Sequence, residues 1–442
     1  MIAYGGLVPL VRLAERCGLP GLVGELVHLP VSANGTGAFP ASKVMALVAG
    51  MAAGADSIED MDRLRHGAMN PLFREVRAPS TLGSFLRSFT HGHVKQLHAV
   101  TRRLLPRLAA HAPLPPGADT VAHLDLDDTI KPVHGYAKQG VGYGYNKIKG
   151  LNALTATLST PLAAPMTAAT RLRKGSVNSA RGAASFATEA ITTARASGAT
   201  GILIVRADSA YYGAELIAAR KAADARFSIT VRHNASVKTA IATIAEDAWT
   251  PIKYPRAIWD HDESRWIPDA EIAYTAFTSK PKKQQVTARL IVRRVKRLNP
   301  ATVPEGQGEL FTAWRFHAAF TDSTQPLADA EKDHRRHAIV EQVTAELKNG
   351  PFAHSPSGNF QANAAWLALA ALTFNLVRAC GILADTFHAR ATCTTIREHL
   401  INVPARLARS ARRLTLQLPK RWPWQDGFDT LFHAVHIPPP PA

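Results

Sequence analysis

At 442 residues the chain is too long for one ordinary core, and its hydrophobic content of 46% excludes a disordered polymer; two or three domains are expected. With 52 Lys and Arg against 34 Asp and Glu, the formal charge of +18 points to a polyanionic partner, because each phosphate neutralised releases condensed counterions. Cys17, Cys380 and Cys393 form no CxxC pair, which excludes a disulfide scaffold or structural zinc site and fits a reducing cytosol.

Residues 1 to about 111 read as helices. The start, MIAYGGLVPLV, lacks the basic region of a signal peptide. One helix covers 8–17 and a second covers 42–55, with an apolar stripe through Val44, Leu47 and Met51. Ser80, after a proline, is expected to cap a third helix reaching Phe89. His91 and His93 flank Gly92 in a turn before a helix over 94–105, which Pro106 interrupts. The proline-rich segment 113–117 marks a domain boundary.

Beyond it the period changes to two. Strands are expected over 121–130, 147–158 and 164–172, the first two joined by a glycine-rich hairpin at 140–146. A helix over 183–195, a strand over 201–207, a helix over 213–223 and a strand over 226–231 follow. Three antiparallel strands and then βαβ is the order of an RNase H-like sheet, an α/β architecture. Residues 233–330 are strand-like and irregular, with Trp249, Trp259, Trp266 and Trp314. Inside them, 282–297 carries Lys282, Lys283, Arg289, Arg293, Arg294, Lys296 and Arg297 with no acidic residue. The apolar stretch 364–383, interrupted by Thr373, Asn375 and Arg378, reads as a helix buried against a sheet and not as a membrane span. A basic tail follows, with no internal repeat anywhere and low complexity only at 438–441.

Three acidic positions stand out. On the first strand Ala122, Leu124, Leu126 and Ile130 share an apolar face, while His123, Asp125, Asp127 and Thr129 share the other. Asp128 falls on the apolar side, and the pattern leaves Asp125 and Asp127 both open. Asp208 ends the run GILIVRADS at the carboxyl end of a buried strand, where ligands gather in open α/β sheets; a plain helix N-cap is the alternative. Glu341 shares a helical stripe with His334, His337 and Lys348, which alone would read as a solvated face. Carboxylates converging from two strands and a helix can hold two divalent cations.

Together these motifs resemble those of the DDE transposases of bacterial insertion sequences. Asp127-Asp128-Thr129 is similar to that family's Asp-x-Thr strand motif and favours Asp127 over Asp125; Arg206-Ala207-Asp208-Ser209 is similar to its second motif. His334-x2-His337-x3-Glu341-x6-Lys348 resembles Tyr-x2-Arg-x3-Glu-x6-Lys, with histidines at the first two places. The run from Asn349-Gly350-Pro351 to Asn363-Ala364-Ala365-Trp366 resembles the thirteen-eighty group. The resemblance implies an α-helical DNA-binding domain at 1–111 and an RNase H-like catalytic core at 119–232 and 331–385. A β-rich insertion at 233–330 would precede the last catalytic helix, and 386–442 would be a basic C-terminal tail. Asp127, Asp208 and Glu341 would hold two Mg²⁺ ions, Mn²⁺ being able to substitute, with Asp125 an auxiliary. The substrate would be double-stranded DNA, both terminal inverted repeats and target, nicked and joined by a cytoplasmic homodimer with no membrane partner. Lys348, His334 and His337 would contact phosphate near the scissile bond. Lys282, Lys283, Arg293, Arg294, Lys296, Arg297 and the segment 406–421 would grip the backbone.

Two other readings remain. Asp125-Leu126-Asp127-Asp128-Thr129 also resembles the DxDxT motif of haloacid dehalogenase-like phosphatases, with Asp125 as nucleophile, although a hairpin follows where a helix is needed. The other is a catalytically inactive DNA-binding relic.

Overall fold

The chain opens on helices α1 (Leu7–Arg16), α2 (Leu19–Leu26), α3 (Pro40–Ala52), α4 (Pro79–Arg87) and α5 (His91–His111). Pro40 and Pro79 occupy first helical positions, where a missing N–H costs nothing and a fixed φ suits the helix. Ser80 is therefore not the cap the sequence leads one to expect: Ala78 is the N-cap, and Ser80 lies inside the first turn. Helix α5 starts earlier than expected. Thr90 and His93 form a capping box, with the Thr90 N–H donating to His93 Nδ1 at 3.1 Å. Pro106 does not end α5, whose buried Leu97, Leu104, Leu105 and Leu108 outweigh one lost backbone bond.

The strands β1 (Val121–Pro132), β2 (Gly142–Tyr143), β3 (Lys149–Thr160) and β4 (Ala163–Arg173) follow, with β1 and β4 both antiparallel to β3. Asp127 lies opposite Thr155 in this register. Then come α6 (Ala183–Ala196), β5 (Ile202–Ala207), α7 (Ala214–Ala222) and β6 (Arg226–Thr230), and β5 and β6 are parallel, as a βαβ crossover requires. After α8 (Ala235–Ala242) the chain forms β7 (Thr250–Ile252), β8 (Ile258–Asp260), β9 (Arg265–Ile267), β10 (Ala270–Thr278), β11 (Thr287–Lys296) and β12 (Trp314–Thr321). The inserted strands extend the parallel pair in the order β5-β6-β12-β11-β10-β7, because β12 returns antiparallel to β6. Next come α9 (Leu327–Arg335), α10 (Ile339–Lys348), α11 (Phe360–Ala384), α12 (Cys393–Ile396), β13 (Arg406–Ser410), β14 (Arg413–Gln417) and α13 (Gln425–His436).

The computed structural model describes the chain apart from residues 34, 70–72, 74–75, 135–136, 253–257, 261–264, 268–269, 280–284, 297–313, 411–412 and 438–442. It divides into two compact units, one of Met1–Arg181, Glu189–Ile202 and Ile339–Ala442, the other of Gly182–Thr188 and Leu203–Ala338. The opening helices and strands β1–β4 thus belong to one unit.

Helix α11 is the spine of that unit, packed against β4, α5, α3, α13, α4 and α1. Among the described residues it is the one helix long and apolar enough to cross a membrane, but 89% of its most apolar window is buried within the fold. The polar residues that interrupt it each have a task. Strand β4 carries a bulge where Ala156 pairs with Ala169 but Thr157 pairs with Thr167. The Asn375 side chain satisfies the freed backbone there, accepting from Thr167 N–H at 2.9 Å and donating to its carbonyl at 2.8 Å. Arg378 answers Glu346 of α10, and Thr373 donates to Met51 Sδ at 3.7 Å.

Residues after α11 are folded rather than a tail. Helix α13 buries Phe428, Leu431 and Val435 against α11 and α1, and Arg16 caps its end through the carbonyls of Ala434 (3.0 Å) and Ile437 (2.7 Å). The hairpin β13–β14 exposes Arg406 and Arg409.

Candidate active site

Strand β1 carries three aspartates in three different environments. Asp125 is fully buried and accepts from the Ser159 hydroxyl at 3.5 Å. Asp128, on the opposite face, belongs to a buried network in which Arg173 Nη2 donates to it at 2.9 Å and Asn152 donates through its amide. Arg173 also donates to Asn152 Oδ1 (2.8 Å) and to the carbonyls of Ser179 (2.9 Å) and Arg181 (3.0 Å), so every part of this buried cation is answered. Asp127 alone is half-exposed. Burial therefore separates Asp127 from Asp125, which alternation left equivalent.

Helix α10 lies on this strand. Its buried Val340, Val343 and Leu347 face β1, β3 and β4, and its last residue, Lys348, donates from Nζ to Thr129 Oγ1. Desolvation pushes the Lys348 ammonium below its ordinary pKa, and attraction from Asp127 opposes that fall. Lys131 is two residues past Thr129 and so on the same face. Its pKa is also lowered, by desolvation first and then by Lys348, while Asp56 pulls it upward. Glu341 is exposed in the first turn of α10. Glu346 points into the fold: Oε1 accepts from Arg378 Nη2 at 2.7 Å and Oε2 from the Cys393 N–H at 2.8 Å. This buried pair fixes α10 against α11. Neither Lys131 nor the Glu346–Arg378 pair figures in the sequence reading, although Lys131 continues the period-two face that carries Asp125, Asp127 and Thr129.

The second unit holds the remaining expected residues. Asp208 is exposed and caps a 3₁₀ turn, Ser209–Tyr211, its Oδ1 accepting from Ala210 N–H at 2.9 Å. One carboxylate oxygen is thus a turn cap, and the group still faces solvent. Helix α9 ends at Arg335, and the turn Arg336–Ala338, which contains His337, is 3₁₀, advancing about 120° per residue where an α-helix advances about 100°. Both His334 ring nitrogens meet hydroxyls within its unit, Ser228 at 2.9 Å and Thr230 at 3.0 Å.

Among the described residues of the basic run, each arginine of β11 has a partner. Arg294 is 6% exposed, pairs with Glu246 and Glu271, and lies between the Trp249 and Trp314 rings at 4.2 and 4.5 Å. Arg289 donates to the carbonyls of Ser323 and Gln325, and Arg293 stands 3.8 Å from Glu331. The acidic partners absent from the run itself come from elsewhere in the unit: Glu271 from strand β10, Glu246 from a 3₁₀ turn before β7 and Glu331 from α9. Lys282, Lys283 and Arg297 lie outside the described residues, as does the side chain of Lys296.

Among the described residues no three His, Cys, Asp or Glu side chains form a ready-made metal cluster. Asp127 and Glu341 in the first unit, and Asp208 in the second, each present carboxylate oxygens at accessible positions, the hard donor that a divalent cation prefers. No curated protein matches the chain. A family model described as transposase DDE domain group 1 matches residues 1–437, and the chain belongs to that family.

Proposed function

We propose that the protein is an insertion-sequence transposase of the thirteen-eighty group with an RNase H-like core. In this reading it nicks the ends of its own element and joins the freed 3′-hydroxyl to target DNA. The observation that carries the reading is the contact between Lys348 and Thr129, 219 residues apart, which ties the helix bearing Glu341 to the strand bearing Asp127. Asp127, Asp208 and Glu341 would hold two Mg²⁺ ions, which when bound lower the pKa of an attacking water or hydroxyl and neutralise charge on the phosphate. Asp127 stands half-exposed and Glu341 exposed for that role. Lys348 holds a phosphate oxygen beside the scissile bond as a point charge, and Thr129 aims it. Asp128, Asn152 and Arg173 stiffen β1 beneath them. Asp125 is too enclosed to attack a phosphate, which disfavours the phosphatase reading.

The opening helices read the terminal repeats, with Ser80, Thr81, Ser84 and Arg87 on the outer face of α4 as the recognition surface. Arg406 and Arg409 of the β13–β14 hairpin grip phosphates, as do Lys282, Lys283, Lys296 and Arg297. A cytoplasmic homodimer pairs two ends.

Labelled duplex from the DNA flanking the gene, incubated with the protein and Mg²⁺, tests this. Wild type should nick it, while Asp127→Asn, Asp208→Asn and Glu341→Gln should bind and not nick. Undiminished nicking by Asp208→Asn or Glu341→Gln would overturn the assignment. Binding without nicking by every form would identify an inactive relic.

A further inference from the structure

We infer that Lys131 is the second cation of a two-ammonium site, built with Lys348, that clasps one phosphodiester of the DNA strand held beside Asp127. This rests on the transposase reading and names a residue that reading does not use. Along β1 the side chains of Asp127, Thr129 and Lys131 share one face, successive members standing roughly 7 Å apart. Lys348 reaches that face from α10 and donates to the middle member, Thr129. Its ammonium thus has a carboxylate to one side and the Lys131 ammonium to the other.

The Lys131 side chain is half-buried, and its ammonium makes no hydrogen bond or ion pair among the described residues. Lys138, the next lysine, differs: its ammonium is bound by the Ser355 carbonyl. Asp56, the carboxylate that attracts Lys131, is bridged at 3.2 Å by His354 Nδ1. Lys131 feels the repulsion of Lys348 more strongly than that attraction. Two ammonium groups held this close on one face favour a bound anion, since like charges without one raise each other's energy. A phosphodiester offers two non-bridging oxygens, one for each ammonium.

Fluorescence anisotropy of the full-length protein with labelled flanking duplex, in Ca²⁺ to suppress chemistry, tests the inference. Lys131→Met should lower the slope of log affinity against log salt by about 0.9, the loss of one phosphate contact. Lys131→Arg should restore it. A scan placing one neutral methylphosphonate at each position should find a single site where wild type and Lys131→Met bind equally. An unchanged slope in Lys131→Met, or no such position, would overturn the inference, as would failure of wild type to bind DNA. Catalysis is not read here, so loss of the nicking assignment and loss of this site remain distinct results.

Discussion

Replacing Glu346 by alanine should destabilise the first unit more than any exposed substitution can. The Arg378 side chain is 1% exposed and that of Glu346 9%, so no solvent is at hand to replace a lost partner. Besides the ion pair, Glu346 accepts from the Cys393 N–H, and Arg378 donates to the Ala391 carbonyl. Removing one member of such a pair strands the other charge in a low-dielectric interior, at a cost of about 3–5 kcal/mol. For a unit of this size that corresponds to a fall in Tm on the order of 10 °C. Calorimetry of Glu346→Ala and of Glu346→Leu/Arg378→Met would read it. The double apolar variant should melt near wild type, since apolar packing can match a desolvated pair. If it also nicks DNA poorly, the pair sets the placement of Glu341 and Lys348 rather than stability alone. A Glu346→Ala protein melting within about 2 °C of wild type would refute the reasoning.

Burial holds His98 neutral and pushes its pKa down to about 4, from 6.5. The unfolded chain takes up that proton first, so stability is retained above pH 6.5. It should fall by an amount on the order of 3 kcal/mol as pH drops from 6.5 to 4. His98→Phe should flatten this part of the Tm profile, and identical profiles for the two proteins would contradict the account. Burial also raises the thiols, Cys17 to about 11, Cys393 to about 12 and Cys380 further still. Native protein at pH 8 should leave the buried Cys17 and Cys380 unlabelled by a thiol reagent over minutes, whereas denatured protein should label at each; rapid native labelling of either would show the fold to be looser than described.

Periodicity made the strand order 121–230 readable before any coordinates, because alternation and βαβ spacing are local properties. It also put Asp127 on a shared face with Thr129. It could not rank Asp127 above Asp125, since the enclosure of Asp125 and its Ser159 contact come from tertiary packing. The partners of Arg294 were hidden for the same reason: Glu246 and Glu271 are far from it in sequence and meet it only through packing and pairing. The 3₁₀ turn at 336–338 is not legible in the residue spacing, which reads as continuous α-helix. In the C-terminal segment, read from sequence as a basic tail, Phe428, Leu431 and Val435 have the spacing of a buried helical face, a signal that the abundance of arginine obscured.

Whether Asp127, Asp208 and Glu341 serve one pair of dications is tested most directly by replacing Mg²⁺ with Fe²⁺ in the full-length protein bound to flanking duplex. Peroxide-driven backbone cleavage is then mapped by mass spectrometry. Cuts near all three positions, lost together in Asp127→Asn, are predicted. Cuts near 208 that persist unchanged in Asp127→Asn, or none near 341, would contradict a shared metal site.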